Sequence, residues 1–353
     1  MPLSSQIKQP EISRHIRLLE IAQRAPIFLS QALQPFVVCP STATASPLYS
    51  EDFFGWIISA VEKQLGAIPS LPQFSFLLRA LDAQARNAQT RETVHIRTAK
   101  TGTKSYQIDI GTPNQETIEI TGQEWKVSQF HDVRFQRLET AQPLPIPERC
   151  EVPAAHYLQQ MYNIPLEDGY KLARWLAEAM LPEQKPPILV ITGTARDEAV
   201  EQLRSLIDPV ISPIIEMPAT SKQMAQQAVE NRILAYSIYN YLPEKTIQIL
   251  NSVRYGMRAR LKQANKNFTP LYDTVHRPII ISAEEAIKIS NHQIHIEINK
   301  THIVKAHEFL GALLDVVVQI VSQPAATEEP MVATMPQIQG PIPDPSDPNN
   351  LQS

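Results

Sequence analysis

The chain has 353 residues, 43% apolar and 19% charged, which suffices for two domains with buried cores and excludes wholesale disorder. A net charge of −4 excludes a globally basic nucleic-acid binder, so any such contact must be local. Two cysteines, Cys39 and Cys150, are too few for a disulfide scaffold or a cysteine-built metal site, and they fit a reducing cytoplasm.

Residues 1–20 are polar, lack a signal-peptide core, and are expected to be loosely ordered. Residues 50–66 predict an amphipathic helix, with Ser50 as N-cap, acids in the first turn and Gly66 just past its end. A second helix is expected at 70–86. From 92 to 137 apolar residues recur every second position (Val94, Ile96; Tyr106, Ile108, Ile110; Ile118, Ile120; Trp125, Val127), which predicts a small antiparallel meander. The run PLPIPE at 143–148 predicts a stiff extended linker, and 143–149 is the expected domain boundary.

Residues 150–322 alternate helix and strand. A helix is expected at 166–181, then the apolar strand PPILVIT at 186–192. Helices at 197–207 and 220–230, a strand at 233–237 and a helix at 243–253 follow. A buried strand at 278–282, an alternating strand at 293–298 and a helix at 301–322 complete an α/β sheet flanked by helices. The apolar run 311–321 is too short to span a bilayer and carries Asp315, so no membrane segment is expected. Seven prolines and little aliphatic content predict a disordered tail over 323–353.

Several segments in a shared order carry a family resemblance: VHIRTAKTGTKSYQIDIG (94–111), EWKVSQFHDVRF (124–135), the PLPIPE linker, ILVITGTARDEAVEQLRSLIDP (188–209), HRPIIIS (276–282) and FLGALLDVVVQIV (309–321). Together they resemble the P-loop ATPase, helicase-like proteins of phages and integrated mobile elements, which often travel with primase-polymerase modules. The resemblance implies a P-loop NTPase-like sheet at 150–322. It also implies DNA, primase or helicase subunits and further copies of the chain as partners.

The chemistry of that fold can be checked residue by residue. A P-loop needs two glycines, a Lys and a Ser/Thr, so that backbone N–H groups surround the phosphates and the hydroxyl reaches Mg²⁺. Here Thr192, Gly193 and Thr194 lead from strand to helix, but the loop is about three residues short of the motif and has no second Gly. Aligned through RSLIDP, Arg196 falls near the Lys position and Asp197 and Glu198 near the Ser/Thr positions. Two first-turn carboxylates suit the helix dipole and repel a triphosphate. Ser237 stands where the resemblance places a magnesium-ordering acid, Ser282 where it places a polar sensor, and Asn291–His292 where an arginine finger would fall. The expectation is a degenerate nucleotide site comprising Thr192, Gly193, Thr194, Arg196, Asp197, Ser237 and Ser282, with no cofactor. The alternative is an active ATPase using ATP with magnesium in an atypical site.

Five basic residues and no acid lie between Asn251 and Tyr272: Arg254, Arg258, Arg260, Lys262 and Lys266, interleaved with Tyr255, Phe268 and Tyr272. Such a pattern can neutralise phosphates and stack on bases, or can be a solvated loop. The resemblance places it in a hairpin-like insertion facing a polynucleotide. His292, His295, His302 and His307 are spread over a strand and a helix and are read as polar-face residues rather than a zinc site. His131–Asp132 has no nucleophile nearby and is read as a turn.

Overall fold

The structure is a computed structural model that describes residues 9–88, 91–129, 133–218, 220–239, 242–260 and 272–323. His131–Asp132, Lys262, Lys266 and the tail from 324 onward lie outside the described residues.

Helix α1 (Gln9–Ala22) occupies the part of the expected loose N-terminus from Gln9 onward, and residues 1–8 lie outside the described residues. Arg17 and Glu20 are exposed, whereas Leu18, Ile21 and Ala22 are buried. Strands β1 (Ile27–Ser30), β2 (Pro35–Val38) and β3 (Ala45–Pro47) follow, then helices α2 (Glu51–Leu65) and α3 (Leu71–Asn87). The Ser50 hydroxyl accepts the Phe53 N–H at 3.3 Å, and Gly66 ends α2 at φ 68°. Phe53, Ile57 and Val61 of α2 pack with Leu18 and Ile21 of α1 and Leu77 and Leu81 of α3. Strand β4 (Arg91–Glu92) completes a sheet in the order β3-β2-β1-β4.

Strands β5 (Val94–Ile96), β6 (Thr98–Gly102), β7 (Ser105–Asp109), β8 (Thr117–Thr121), β9 (Trp125–Ser128) and β10 (Arg134–Gln136) come next. Only β6 to β9 form the antiparallel meander, whereas β5 and β10 pair with each other in parallel. The expected meander over 92–137 is therefore shortened at both ends. Arg97 accounts for the first break. Its φ of 61° turns the chain out of the extended region between β5 and β6. Its buried guanidinium donates to the carbonyls of Asp109, Ile110, Gln142 and Pro209 and lies 3.5 Å from the Asp208 carboxylate.

Helices α4 (Ala154–Tyr162) and α5 (Leu166–Met180) lead into β11 (Ile188–Thr192), α6 (Arg196–Ile207), α7 (Ser221–Glu230), β12 (Leu234–Ile238) and α8 (Glu244–Tyr255). An antiparallel pair, β13 (Met257–Arg260) and β14 (Tyr272–Val275), precedes β15 (Ile279–Ala283), β16 (Gln293–Glu297) and α9 (Ala306–Ser322). Strands β12, β15, β11 and β16 lie side by side in that order, all parallel. Every residue of β11 and β15 is buried, as continuous apolar runs require in a sheet covered on both faces. Leu189 and Ile191 face one core, and Ile188 and Val190 face the other.

Residues 143–149 run between the meander and the α/β sheet without separating them. Ile108, Ile118 and Ile120 of the meander share one core with Trp175, Phe309 and Leu313. Leu144 is buried and its N–H binds the Ile110 carbonyl, while the Glu148 N–H binds the His307 carbonyl. A Cβ at position 311 would collide with the Glu148 carbonyl, so Gly311 lets α9 approach this segment. Arg149 lies over the Trp125 ring at 4.0 Å, and Trp125 donates to Asp315 of α9 at 2.8 Å. Residues 1–322 thus form a single compact unit rather than two.

Candidate functional site

In a parallel sheet, loops at the carboxyl ends of the strands form the edge where ligands usually bind. Strand β11 delivers Thr192 to that edge, and Gly193, Thr194 and Ala195 join it to α6. Gly193 has φ 101°, and a Cβ there would collide with the Ile298 carbonyl. Glycine is needed so that the loop can lie against the end of β16, not so that it can open around a phosphate.

Three of the loop's donors have acceptors within the chain. The Thr194 N–H donates to Asn299 Oδ1 at 3.0 Å, and the Ala195 N–H donates to the Ile298 carbonyl at 3.2 Å. The Thr194 hydroxyl donates to the Asn299 carbonyl at 3.1 Å. Asn299 is itself held by its side-chain amide, which donates to Glu297 at 2.9 Å. The Thr194 and Ala195 donors, which a phosphate-binding loop would offer to an anion, are thus tied to the segment after β16.

Asp197, in the first turn of α6, joins the remaining positions. Ser237 and Ser282 are directly paired in the β12–β15 register, so their hydroxyls stand side by side. The Ser237 hydroxyl donates to Asp197 Oδ1 at 2.9 Å, and the Ser282 hydroxyl donates to the same oxygen. Ser282 is fully buried. A carboxylate in a helix's first turn is favoured by the dipole, and two hydroxyl donors favour it further. Arg196 does not approach this group. Its guanidinium lies 3.7 Å from Glu284 and 5.7 Å from the centre of the Tyr239 ring. Thr192 pairs with His295 at 2.8 Å.

The structure therefore gathers Thr192, Gly193, Thr194, Arg196, Asp197, Ser237 and Ser282 at one edge. It adds Asn299 and Ile298, which local sequence reading did not single out, and His295, read from the sequence only as a polar strand-face residue. Asp197 and Glu198 in the first turn of α6, Glu284 after β15 and Glu297 at the end of β16 carry carboxylates at this end of the sheet, where Arg196 and Lys300 are cations.

The basic segment divides. Arg254 is buried at the end of α8, where it donates to the carbonyls of Lys185 and Pro186 and to the Tyr255 hydroxyl. It ties α8 to the segment entering β11 and does not face a polynucleotide. The backbone of Arg258 and Arg260 lies in β13, paired with Thr274 and Tyr272 of β14. Among the described residues no three His, Cys, Asp or Glu side chains converge as metal ligands do. His307 lies 3.8 Å from Glu148. No helix among the described residues is long and apolar enough to cross a membrane.

No family model matches the chain, and no curated protein matches it. Among solved structures it is similar to the A-form apo structure of the NrS-1 C-terminal region, with 9% identity and a TM-score of 0.42 over 86% of this chain and 68% of that one. A second structure of that region gives 9% identity and 0.40 over 88% and 68%. A structure of JCV helicase with a substituted acetamide bound gives 9% identity and a TM-score of 0.25 over 48% of this chain and 60% of that one. Each is a distant likeness.

Proposed function

We propose that this protein is a non-hydrolysing, ATPase-like binding or assembly subunit of a mobile-element replication system, and that it contacts DNA through Arg258, Arg260, Lys262 and Lys266. Its partners are DNA, primase or helicase subunits and further copies of the chain. The observation that carries the reading is the occupied strand-end loop. The Thr194 and Ala195 N–H groups are held by Asn299 and Ile298, and Asp197 is held between Ser237 and Ser282. A nucleotide would have to break these bonds and displace a carboxylate to reach the loop. A protein that keeps the strand–loop–helix edge but fills it from within retains a use for the scaffold as a surface rather than as a hydrolytic site.

The test is calorimetry of the purified chain with ATP and Mg²⁺, alone and with single-stranded DNA. The expected result is no heat from ATP and salt-sensitive binding of DNA. Replacing Arg258, Arg260, Lys262 and Lys266 together by Ala is expected to weaken DNA binding and to flatten its salt dependence. Saturable ATP binding, or phosphate release stimulated by DNA and lost in Arg196→Ala, would overturn the non-hydrolysing reading. DNA binding unchanged in the fourfold variant would overturn the assigned contact.

A further inference from the structure

Strand β16 is the outermost strand on one side of the parallel sheet, and among the described residues no strand pairs with its far side. The outer strand on the other side, β12, is covered in part: Ile215 bridges to Tyr236, and its N–H donates to the Ala235 carbonyl. An unpaired strand is a row of free donors and acceptors, which folded chains blunt with proline, lysine, a bulge or a covering segment. Strand β16 contains neither proline nor lysine. Its sequence is QIHIE, and it keeps unbroken register with β11 from Gln293 to Glu297.

The register fixes which groups are free. The Ile188 N–H donates to the His292 carbonyl, and the Ile298 N–H donates to the Thr192 carbonyl. Backbone groups alternate sides along a strand, so the even-numbered residues turn theirs to β11 and Gln293, His295 and Glu297 turn theirs outward. The His295 and Glu297 side chains are exposed. His295 meets Thr192 through Nε2, and Glu297 accepts from Asn299 through Oε1, which leaves His295 Nδ1 and Glu297 Oε2 open to solvent.

This pattern is complementary to itself. About a two-fold axis at His295, an antiparallel copy of β16 would exchange both N–H···O bonds at that residue. Glu297 would then stand opposite Gln293, whose side-chain amide is held by Ile287, Ile289 and Ser290 and brings no like charge. Its carboxylate would lie diagonal to the imidazole of His295 in the second copy, within reach of a long side chain. On the opposite face the half-buried Ile294 would meet Ile296. An axis at Glu297 would instead set two carboxylates face to face, and an axis at Gln293 would leave Glu297 opposite Ile289, outside the strand.

We propose that β16 is a self-association surface, on which a second copy of this chain adds its own β16 antiparallel and makes the two sheets continuous. The contact is isologous, with His295 facing its own counterpart. It is also small, so the dimer forms in the micromolar range rather than as a permanent assembly. The inference rests on the reading that copies of this chain associate, and it assigns the face and the symmetry.

The test is the mass of the full chain by sedimentation between about 1 and 100 μM, with a two-chain species expected at the upper end. His295→Pro removes an outward N–H without taking a bond from β11, and Glu297→Lys turns the diagonal attraction into repulsion. Each is expected to weaken association by about tenfold or more, and circular dichroism separates that loss from misfolding. Under mild oxidation His295→Cys is expected to link two chains, since directly opposite residues in such a pair have Cα atoms about 5.5 Å apart, within disulfide reach. The unaltered chain, with Cys39 and Cys150, and an exposed control on α6, Glu201→Cys, are expected to stay unlinked. A single-chain mass throughout, association unchanged in both strand variants, or linking no greater in His295→Cys than in Glu201→Cys would overturn the inference. A larger assembly that survives both strand variants would overturn this surface and leave self-association itself standing.

Discussion

Asp197→Ala probes the strand-end site most directly. The substitution leaves the fully buried Ser282 hydroxyl without its acceptor, which costs about 1–3 kcal/mol. It also removes a carboxylate from the first turn of α6, worth about 0.3–1 kcal/mol. The half-buried Ser237 can turn to water and adds little. The expected loss is about 1–4 kcal/mol, read as a lower urea midpoint at unchanged slope. Asp197→Asn keeps an acceptor oxygen and is expected to lose only about 1 kcal/mol. Because Asp197 and Ser282 share one bond, the Asp197→Ala/Ser282→Ala pair is expected to fall short of the sum of the single losses by about 1–2 kcal/mol. Strict additivity, or a loss below about 0.5 kcal/mol for Asp197→Ala, would refute the claim that this contact holds the edge together. The Ala variant is also expected to stay silent toward ATP, because Asn299 and Ile298 still occupy the loop donors.

Two further outcomes follow from the same structure. Gly193→Ala should cost about 2 kcal/mol or more in a urea titration, since a side chain at φ 101° is strained and its Cβ meets the Ile298 carbonyl; a neutral result would mean the loop does not lie against β16. Burial lowers the pKa of both His95 and His276, and Arg232 lowers His276 further. The unfolded chain therefore binds more protons than the folded one as pH falls below the ordinary histidine value of about 6.5, and stability present above that pH is lost on acidification. Urea midpoints compared at neutral and mildly acidic pH should show this loss, and it should shrink in a His95→Asn/His276→Asn variant; an identical pH response would refute the assignment.

How far the sequence reveals this molecule depends on where each signal resides. Helix α2 is legible because its N-cap, acids and C-terminal glycine all lie within its own segment. Strands β11 and β15 are legible because burial on both faces writes itself as an unbroken apolar run. Helix α1 is hidden, since its inward residues Leu18, Ile21 and Ala22 sit in a largely polar stretch and gain their meaning only against α2 and α3. Strands β1 to β3 and β5 are too short to show a period, and the left-handed turn at Arg97 has no glycine to announce it. At the strand-end site, the short loop and the Asp197 carboxylate can be read locally. The capping by Asn299, 105 residues away from Thr194, cannot. Counting basic residues likewise cannot distinguish a presented guanidinium from Arg254, whose carbonyl partners lie nearly 70 residues upstream.

The guanidinium of Arg97 bears on how such a chain can evolve. It collects carbonyls from the meander, from the segment before Pro143 and from the turn after α6, together with the Asp208 carboxylate. Recombination that exchanged everything before residue 143 for an unrelated module would strand Asp208 and the Pro209 carbonyl beside a vacated arginine. The halves are consequently inherited as a pair, and gene shuffling at the proline-rich junction would discard a working core rather than create a new combination.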